Sequence, residues 1–181
     1  MSSEKKRHAM RISYRVALGG IVAALCLVTM FLTGIAPMLY IAAPMVAGVL
    51  LLILVAEVGT SWALLTYVAV SLLSMVVTYD KEATLMFTLF FGYYPLLRPW
   101  MNRISFRPLQ LLAKLILFQL FLVVDYLLTI YVLGLPTFDE LAGWLLPVLD
   151  VGAVIVFLIY EASLSGLTDF YYHVIRRRLM R

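Results

Sequence analysis

Apolar segments long enough to cross a lipid bilayer recur along the whole chain. A helix needs roughly 17–25 mostly apolar residues to cross about 30 Å of hydrocarbon, and this 181-residue sequence supplies such blocks repeatedly. The composition agrees, because 64% of the residues are hydrophobic and 13% are charged, whereas soluble domains have roughly 45–50% apolar and about 25% charged residues. One water-soluble core could not bury this much apolar surface. The sequence therefore predicts an all-α, polytopic membrane protein.

Glycine, proline and charged residues divide the apolar sequence into six predicted spans. We predict a basic flank at 1–11, a six-helix transmembrane domain at 12–167 and a basic amphipathic segment at 168–181. The spans are expected at about 12–33, 37–56, 60–78, 83–100, 108–133 and 140–167. The first apolar block is too long for a signal-peptide core and lacks a clear cleavage site, so we expect it to remain as the first helix.

The distribution of charge predicts how these spans are oriented. With the N-terminus in the cytoplasm, thirteen of the fourteen Lys and Arg residues fall on the cytoplasmic side and only Lys81 falls outside. The external turns instead hold acidic residues, namely Asp80, Glu82, Asp139 and Glu140. By the positive-inside rule, this asymmetry predicts six spans with both termini in the cytoplasm. The basic residues flank spans and form no soluble face, so we expect them to contact lipid headgroups and do not expect nucleic-acid binding.

The C-terminal segment that follows Gly166, LTDFYYHVIRRRLMR, is both amphipathic and basic. One interpretation is a cytoplasmic helix that lies on the inner leaflet or docks onto a partner. The other is a positively charged flank that stops translocation of the last span. The sequence leaves both interpretations open.

Two carboxylates interrupt apolar sequence, Asp125 in FLVVDYLLTI and Asp150 in LLPVLDVGAVIV. In an antiparallel hairpin of the last two spans, both lie roughly 12–15 Å below the external turn. An acid that faces lipid there costs at least about 2.5–3.5 kcal/mol, so we expect both to face the bundle interior, a wet cavity or a cationic partner. No Lys or Arg is predicted at that depth, so a proton, a cation or a cationic ligand must compensate them. They are the first candidates for a substrate site. The alternative is that each is protonated and joins helices by a hydrogen bond.

Small hydroxyl side chains recur at helical spacing on the third and fourth spans. They predict either ordinary helix packing or a cavity that opens outward near an aromatic rim. The hydroxyl positions are Tyr67, Ser71, Ser74, Thr78, Thr84 and Thr88, and the rim consists of Tyr79 and Trp144. Under the second interpretation Ser71, Ser74 and Thr78 join the rim and the two aspartates as candidate substrate-binding residues. Pro147, one turn before Asp150, would free a backbone carbonyl for a ligand or water.

Two further acids, Glu57 and Glu161, fall near the predicted cytoplasmic ends of their spans. We expect them to pair with the arginines of that side, in a structural role.

Residues that support catalysis or metal binding are scarce. Cys26 is the one cysteine and is expected to pack inside the first span, while His8 and His173 lie in the basic flanks. The phosphate-binding pattern GxxxxGK[ST] does not occur in the sequence. We therefore predict no catalytic residue, no metal and no cofactor, and energy from ATP would require other subunits.

The sequence resembles one transporter family in two stretches. The first span, YRVALGGIVAALCLV, places small residues four apart, which permits close helix approach. The fourth ends in LFFGYYPLLRPWMNR. With the six-span layout and cytoplasmic termini, these stretches resemble the substrate-binding S components of energy-coupling factor (ECF) transporters.

The resemblance implies a bundle in a bacterial cell membrane that captures a vitamin-like molecule or a metal from outside. A T component and ATPase subunits would then drive its release inside. The outward halves of the fourth to sixth spans would hold the substrate, where Asp125 and Asp150 fall independently. The surface that contacts the partner would consist of Gly19, Gly20, Ala23 and Ala24.

Two other classes of function remain open. A structural or regulatory membrane protein, such as an assembly factor or a lipid-binding subunit, would use the aspartates only to join helices. An intramembrane aspartyl protease would use two facing acids that share a proton. The GxGD signature of such proteases is missing, because Asp150 follows PVL.

Overall fold

Helices account for all of the regular structure in the described part of the chain. The computed structural model describes residues 2–131 and 142–170, with side chains for 12–36, 38–131 and 147–170. Within those residues there is no β-strand, which confirms the predicted all-α class. The α-helices are α1 (Ser2–Phe31), α2 (Ala42–Val58), α3 (Thr60–Val77), α4 (Lys81–Met86), α5 (Tyr94–Met101), α6 (Arg107–Tyr131) and α7 (Ala142–Phe170).

The two predicted flanks join the helices beside them. Residues 2–11 of the N-terminal flank form the first turns of α1 without a break. Residues 168–170 of the C-terminal segment belong to the end of α7, and residues 171–181 lie outside the described part of the chain.

Within the described residues, four helical segments are long and apolar enough to cross a membrane, namely Ile12–Gly34, Thr60–Val77, Arg107–Tyr131 and Pro147–Phe170. They correspond to the first, third, fifth and sixth predicted spans. In the second predicted span, α2 is a shorter apolar helix of 17 residues, preceded by the 3₁₀ turns Leu32–Gly34 and Pro37–Leu39. Large hydrophobic side chains cover the outside of the bundle, as lipid requires. The chain is therefore a multi-pass membrane protein, whereas six spans and cytoplasmic termini stay predictions.

The predicted fourth span is not one continuous helix. It consists of α4, a π-helical turn at Phe87–Phe91, and α5, which begins at Tyr94. In the π-turn the Gly92 amide donates to the Phe87 carbonyl, five residues back, at 2.8 Å. Turns of this type widen a helix locally and are frequent at functional sites.

Proline chemistry explains why the break occurs at GYYP. In a continuous helix residue 95 would donate its amide to the Phe91 carbonyl, but Pro95 has no N–H. Tyr160 replaces that donor, since its hydroxyl donates to the Phe91 carbonyl at 3.3 Å. The Tyr67 hydroxyl likewise donates to the Thr88 carbonyl at 2.5 Å. Tyrosines from α7 and α3 thus bind the carbonyls that the break frees, as an apolar environment requires.

Two glycines allow the broken helix to lie close to its neighbours. A Cβ atom on Gly92 would lie 2.8 Å from Tyr67 Cδ2, closer than real Cβ contacts. A Cβ on Gly48 of α2 would overlap both the Phe91 carbonyl oxygen and the Tyr160 hydroxyl. The backbone of α2 therefore packs directly on the turn where the fourth span breaks.

The buried core has two parts. The first lies among α1, α2 and α3 and includes Cys26, whose thiol lies 3.5 Å from the Ala47 carbonyl. The buried position of Cys26 agrees with its predicted packing role. The second part is largely aromatic and lies among the broken helix, α6 and α7, with Phe118 stacked on Phe157 at 4.7 Å. Candidate site residues border this second part.

Replacing Gly48 with alanine tests the contact between α2 and the broken helix. We expect Gly48→Ala to destabilise the protein by about 1–3 kcal/mol, because the added methyl group must displace backbone and Tyr160. Gly20→Ala is the matched control, because a Cβ there meets nothing within 4 Å. Thermal unfolding of the purified protein in detergent measures both. Equal midpoints for the two variants would contradict the packing described here.

Candidate functional site

A cavity of about 410 Å³ lies between α6 and α7. Its inner wall is the π-turn of the broken helix, and its outer walls are the facing residues of α6 and α7. Six aromatic side chains line it: Tyr40, Phe90, Phe91, Phe118, Phe121 and Phe157. The helix break places Phe90 and Phe91 in the cavity wall, so a local feature of the sequence shapes the site.

Asp125 is the one charged residue among the described residues that line this cavity. Its Oδ1 atom is buried, and no group in the described part of the chain hydrogen-bonds to it. Nearly all buried polar atoms in proteins have a partner, because burial without one costs free energy. The free oxygen therefore indicates a place where a ligand donor or a solvent molecule binds.

The surroundings of Asp125 are acidic. Glu82, at the start of α4, is close enough to act on Asp125 electrostatically. Burial raises the pKa of the Glu82 carboxyl, and the neighbouring Asp80 carboxylate raises it further. Lys81 adds one positive charge at this end, and its ammonium donates to the Met75 and Thr78 carbonyls at 2.7 and 2.8 Å, so the carboxyl groups of Asp80, Glu82 and Asp125 still outnumber it. The local potential therefore favours a cation.

The second predicted acid, Asp150, has different surroundings. Its Oδ1 accepts a hydrogen bond from Gln119 Nε2 at 2.6 Å, and it is not among the residues that line the cavity. Gln119 and Asp125 are six residues apart on α6, which is roughly 240° around the helix. Of the two aspartates expected to face the bundle interior, a wet cavity or a cationic partner, Asp125 lines the cavity and Asp150 does not, so the structure does not bring the two together at one site. Equal depth in a hairpin says nothing about rotation about the helix axis.

Ser71, Ser74 and Thr78 of the third span are buried and Tyr67 is half-buried, and none of these residues lines the cavity. Ser74 donates to the Ser71 carbonyl at 3.0 Å, a packing arrangement. The Ser71 and Thr78 hydroxyl oxygens have no partner within the described residues. Tyr79 is 89% exposed, away from the cavity, and the side chain of Trp144 lies outside the described residues. The aromatic groups of the site are instead Tyr40 and the five phenylalanines named above.

The small residues of α1 divide between two faces. Gly19 faces α3, since a Cβ there would lie 3.1 Å from Thr66 Oγ1, and Ala23 packs against the core. Gly20 and Ala24 are exposed. Two of the four residues of the predicted partner surface are therefore accessible to another protein.

An ionic cluster lies at the end of α6 and α7 that is farther from Asp125. The sequence predicted only the pairing of Glu161 in it. Arg98 is 6% exposed and Lys114 is 4% exposed. Lys114 Nζ contacts Glu161 Oε1 at 2.5 Å, and Arg98 Nε contacts Glu161 Oε2 at 3.2 Å. The Tyr94 hydroxyl donates to the same Oε2 at 2.6 Å. The expected pairing of Glu161 with an arginine is confirmed. The second cation, Lys114, could have been found from the sequence, because it lies inside a predicted span.

Polar groups complete the ionic cluster and connect it to the cavity. Arg98 Nη1 donates to Thr168 at 3.0 Å and Nη2 donates to Ser165 at 2.6 Å, while Lys114 donates to Asn102 at 2.9 Å. The ring of Tyr94 stacks on Phe90 of the cavity wall, with centroids 5.1 Å apart. The cluster thus joins α5, α6 and α7 directly beneath the aromatic wall.

Comparison with known proteins identifies no relative. The chain matches no family model, no curated protein and no solved structure.

Removing the central carboxylate tests the ionic cluster. Glu161→Gln leaves Arg98 and Lys114 buried without a counter-charge, and breaking a buried ion pair in this way costs about 3–5 kcal/mol. We expect a large fall in the unfolding midpoint in detergent. Asp150→Asn, the control, retains an oxygen that accepts from Gln119 and should change the midpoint little. If Asp150→Asn were as harmful as Glu161→Gln, the assignment of these two acids would be wrong.

Proposed function

We propose that this chain is the substrate-capturing membrane subunit of an ECF-type uptake transporter in a bacterial cell membrane. It would have six spans and cytoplasmic termini, bind a small molecule from outside, and have no catalytic activity of its own. The observation that carries the proposal is the buried Oδ1 of Asp125, which lies in an aromatic-walled cavity and has no hydrogen-bond partner among the described residues.

The ligand that best fits this cavity has an apolar body and one positively charged amine. A volume of about 410 Å³ falls within the roughly 300–1,000 Å³ of small-molecule sites. An ammonium group would form a charge-assisted hydrogen bond with Asp125 and cation–π contacts with the surrounding rings. A metal cargo is less favoured, because the described residues contain no group of three His, Cys, Asp or Glu that could hold one.

Binding accounts for the site better than proteolysis does. An aspartyl protease needs two carboxylates that share a proton, and the described lining of the cavity includes one. The exposed pair Gly20 and Ala24 offers a smooth helix face on which a transmembrane partner could pack closely. That face supports a multisubunit assembly with a T component and ATPase subunits.

Binding of amines tests the site. We expect the purified protein to bind aromatic amines better than the matched alcohols, as measured by native mass spectrometry or thermal shift. Asp125→Asn should weaken amine binding tenfold to a hundredfold, since a hydrogen bond to a charged group contributes about 1.5–3 kcal/mol. Asp150→Asn should bind normally. Equal binding of amines by Asp125→Asn and the unmodified protein would contradict the proposed site.

A second pair of variants locates the ligand independently of charge. Gly152 lines the cavity, and a Cβ there meets nothing within 4 Å, so Gly152→Phe should fill the cavity and block binding without disturbing the fold. Gly166 of the same helix is equally open but does not line the cavity, and Gly166→Phe should bind amines normally.

The transporter assembly requires a separate experiment. We expect the full-length protein, extracted gently from its host, to co-purify with ATPase subunits and a T-like scaffold protein. Gly20→Leu with Ala24→Leu should abolish this association, because the added side chains keep a partner helix at a distance, while amine binding at Asp125 persists. Purification of the unmodified protein alone, with amine bound, would retain the ligand site and reject the ECF assembly.

A further inference from the structure

The aromatic-walled cavity has a buried end and an open end. At the buried end Phe118 of α6 stacks on Phe157 of α7, and both side chains are buried. The part of the lining that α7 contributes then passes to three exposed residues, Val148, Leu149 and Gly152. The protein therefore does not enclose the cavity, which opens at the surface of α7.

The open end faces the region of the acyl chains. All three exposed lining residues lie within Pro147–Phe170, a segment that is long and apolar enough to cross a membrane. Val151 and Ile155 of the same segment are exposed and apolar as well. Exposed apolar side chains within a membrane-spanning helix contact lipid. The cavity thus opens sideways into the bilayer, between α6 and α7.

The chemistry of the opening favours an alkyl chain over a hydrated ligand. Its three exposed residues have no side-chain oxygen or nitrogen, and among the described lining residues only Tyr40 and Asp125 have one. A polar molecule that passed here would lose its hydration without replacement, which costs free energy. An alkyl chain would instead exchange lipid contacts for equally apolar protein contacts.

Asp125 lies where the charged end of an amphiphile could reach it. It is six residues from Tyr131, the end of the spanning segment Arg107–Tyr131, which is roughly 9 Å along α6. Like a lysine side chain, an amphiphilic amine keeps its charge near water and its chain in the apolar region. An ammonium group that moves into hydrocarbon needs compensation. The Oδ1 atom of Asp125, which has no hydrogen-bond partner among the described residues, could provide it.

These observations narrow the class of ligand, and the inference rests on the amine capture described under the proposed function. We propose that the ligand is an amphiphilic amine dissolved in the membrane, of the chemical class of long-chain alkylamines. Its ammonium group binds Asp125 among the aromatic rings, and its alkyl chain leaves through the opening at Val148 and Leu149. The protein therefore takes its ligand from the bilayer and not from water.

Displacement in a lipid environment tests this class of ligand. The full-length protein in lipid nanodiscs is loaded with phenethylamine, a compact aromatic amine, and titrated with dodecylamine, butylamine or dodecanol. Native mass spectrometry measures the bound species. We expect dodecylamine to displace phenethylamine at a concentration at least about tenfold lower than butylamine does, because each added CH₂ group favours the apolar phase. Dodecanol should not displace it, since it has no ammonium group.

The outcomes separate this inference from the proposed function. Equal displacement by dodecylamine and butylamine would overturn the membrane-dissolved ligand and leave the amine site standing. Displacement by dodecanol as effective as that by dodecylamine would overturn the contact between the ammonium group and Asp125. If neither phenethylamine nor dodecylamine bound, both this inference and the proposed amine capture would be wrong. Purification without ATPase subunits would reject the transporter assembly alone.

Tryptophan at the opening tests the path of the alkyl chain. Val148→Trp and Leu149→Trp each place a large side chain there, so dodecylamine should bind about tenfold more weakly or worse, because its chain must displace the indole ring. Phenethylamine needs no exit for a chain and should bind normally. The matched control is Val151→Trp, since Val151 is 58% exposed and Val148 is 57% exposed, but Val151 is not among the described lining residues.

The control variant should bind both amines as the unmodified protein does. If Val148→Trp and Leu149→Trp also bound dodecylamine as tightly as Val151→Trp, the chain would not leave through this opening, and the inference would be overturned.

Discussion

Glu161 joins three helices through a set of polar contacts that specifies how they pack. Between apolar helices in lipid there is no hydrophobic driving force, because a lipid tail is as apolar as leucine. Specific association must therefore come from close packing and from polar contacts. Glu161 of α7 contacts Arg98 of α5 and Lys114 of α6 at once, and Tyr94 donates to it as well. This one carboxylate fixes the relative positions of α5, α6 and α7 at their polar end.

The ionic cluster and the cavity depend on one another structurally. The helices α6 and α7 are joined at one end by Lys114 and Glu161, and further along the same pair the cavity opens between them. The broken fourth span packs against both helices and supplies Phe90 and Phe91 to the cavity wall. Because Tyr94 both stacks on Phe90 and bonds to Glu161, the cavity wall is positioned by the cluster beneath it.

The two membrane aspartates show how one residue type serves two purposes on neighbouring helices. Asp150 Oδ1 accepts a hydrogen bond from the side-chain amide of Gln119, so it has a neutral partner within the protein. Asp125 presents an oxygen to the cavity with no partner in the described structure. The sequence contexts of the two are alike, and only their positions around the helix axis separate a structural contact from a candidate ligand contact.

The sequence by itself determined the class of protein and the presence of charge in apolar surroundings. Span length and composition predicted an all-α, multi-pass membrane protein, since the bilayer thickness and the need to satisfy backbone groups leave few other solutions. The sequence also identified Asp125 and the pairing of Glu161, because an unpaired acid in hydrocarbon is costly wherever it lies. Tertiary structure alone decided that Tyr160 and Tyr67 bind the carbonyls freed at the helix break, that Asp150 bonds to Gln119, and that Lys114 is buried with Glu161. Each of these depends on which side chain of another helix lies opposite. Hydropathy and depth are properties of a single helix, whereas rotation about its axis is set by the helices packed against it.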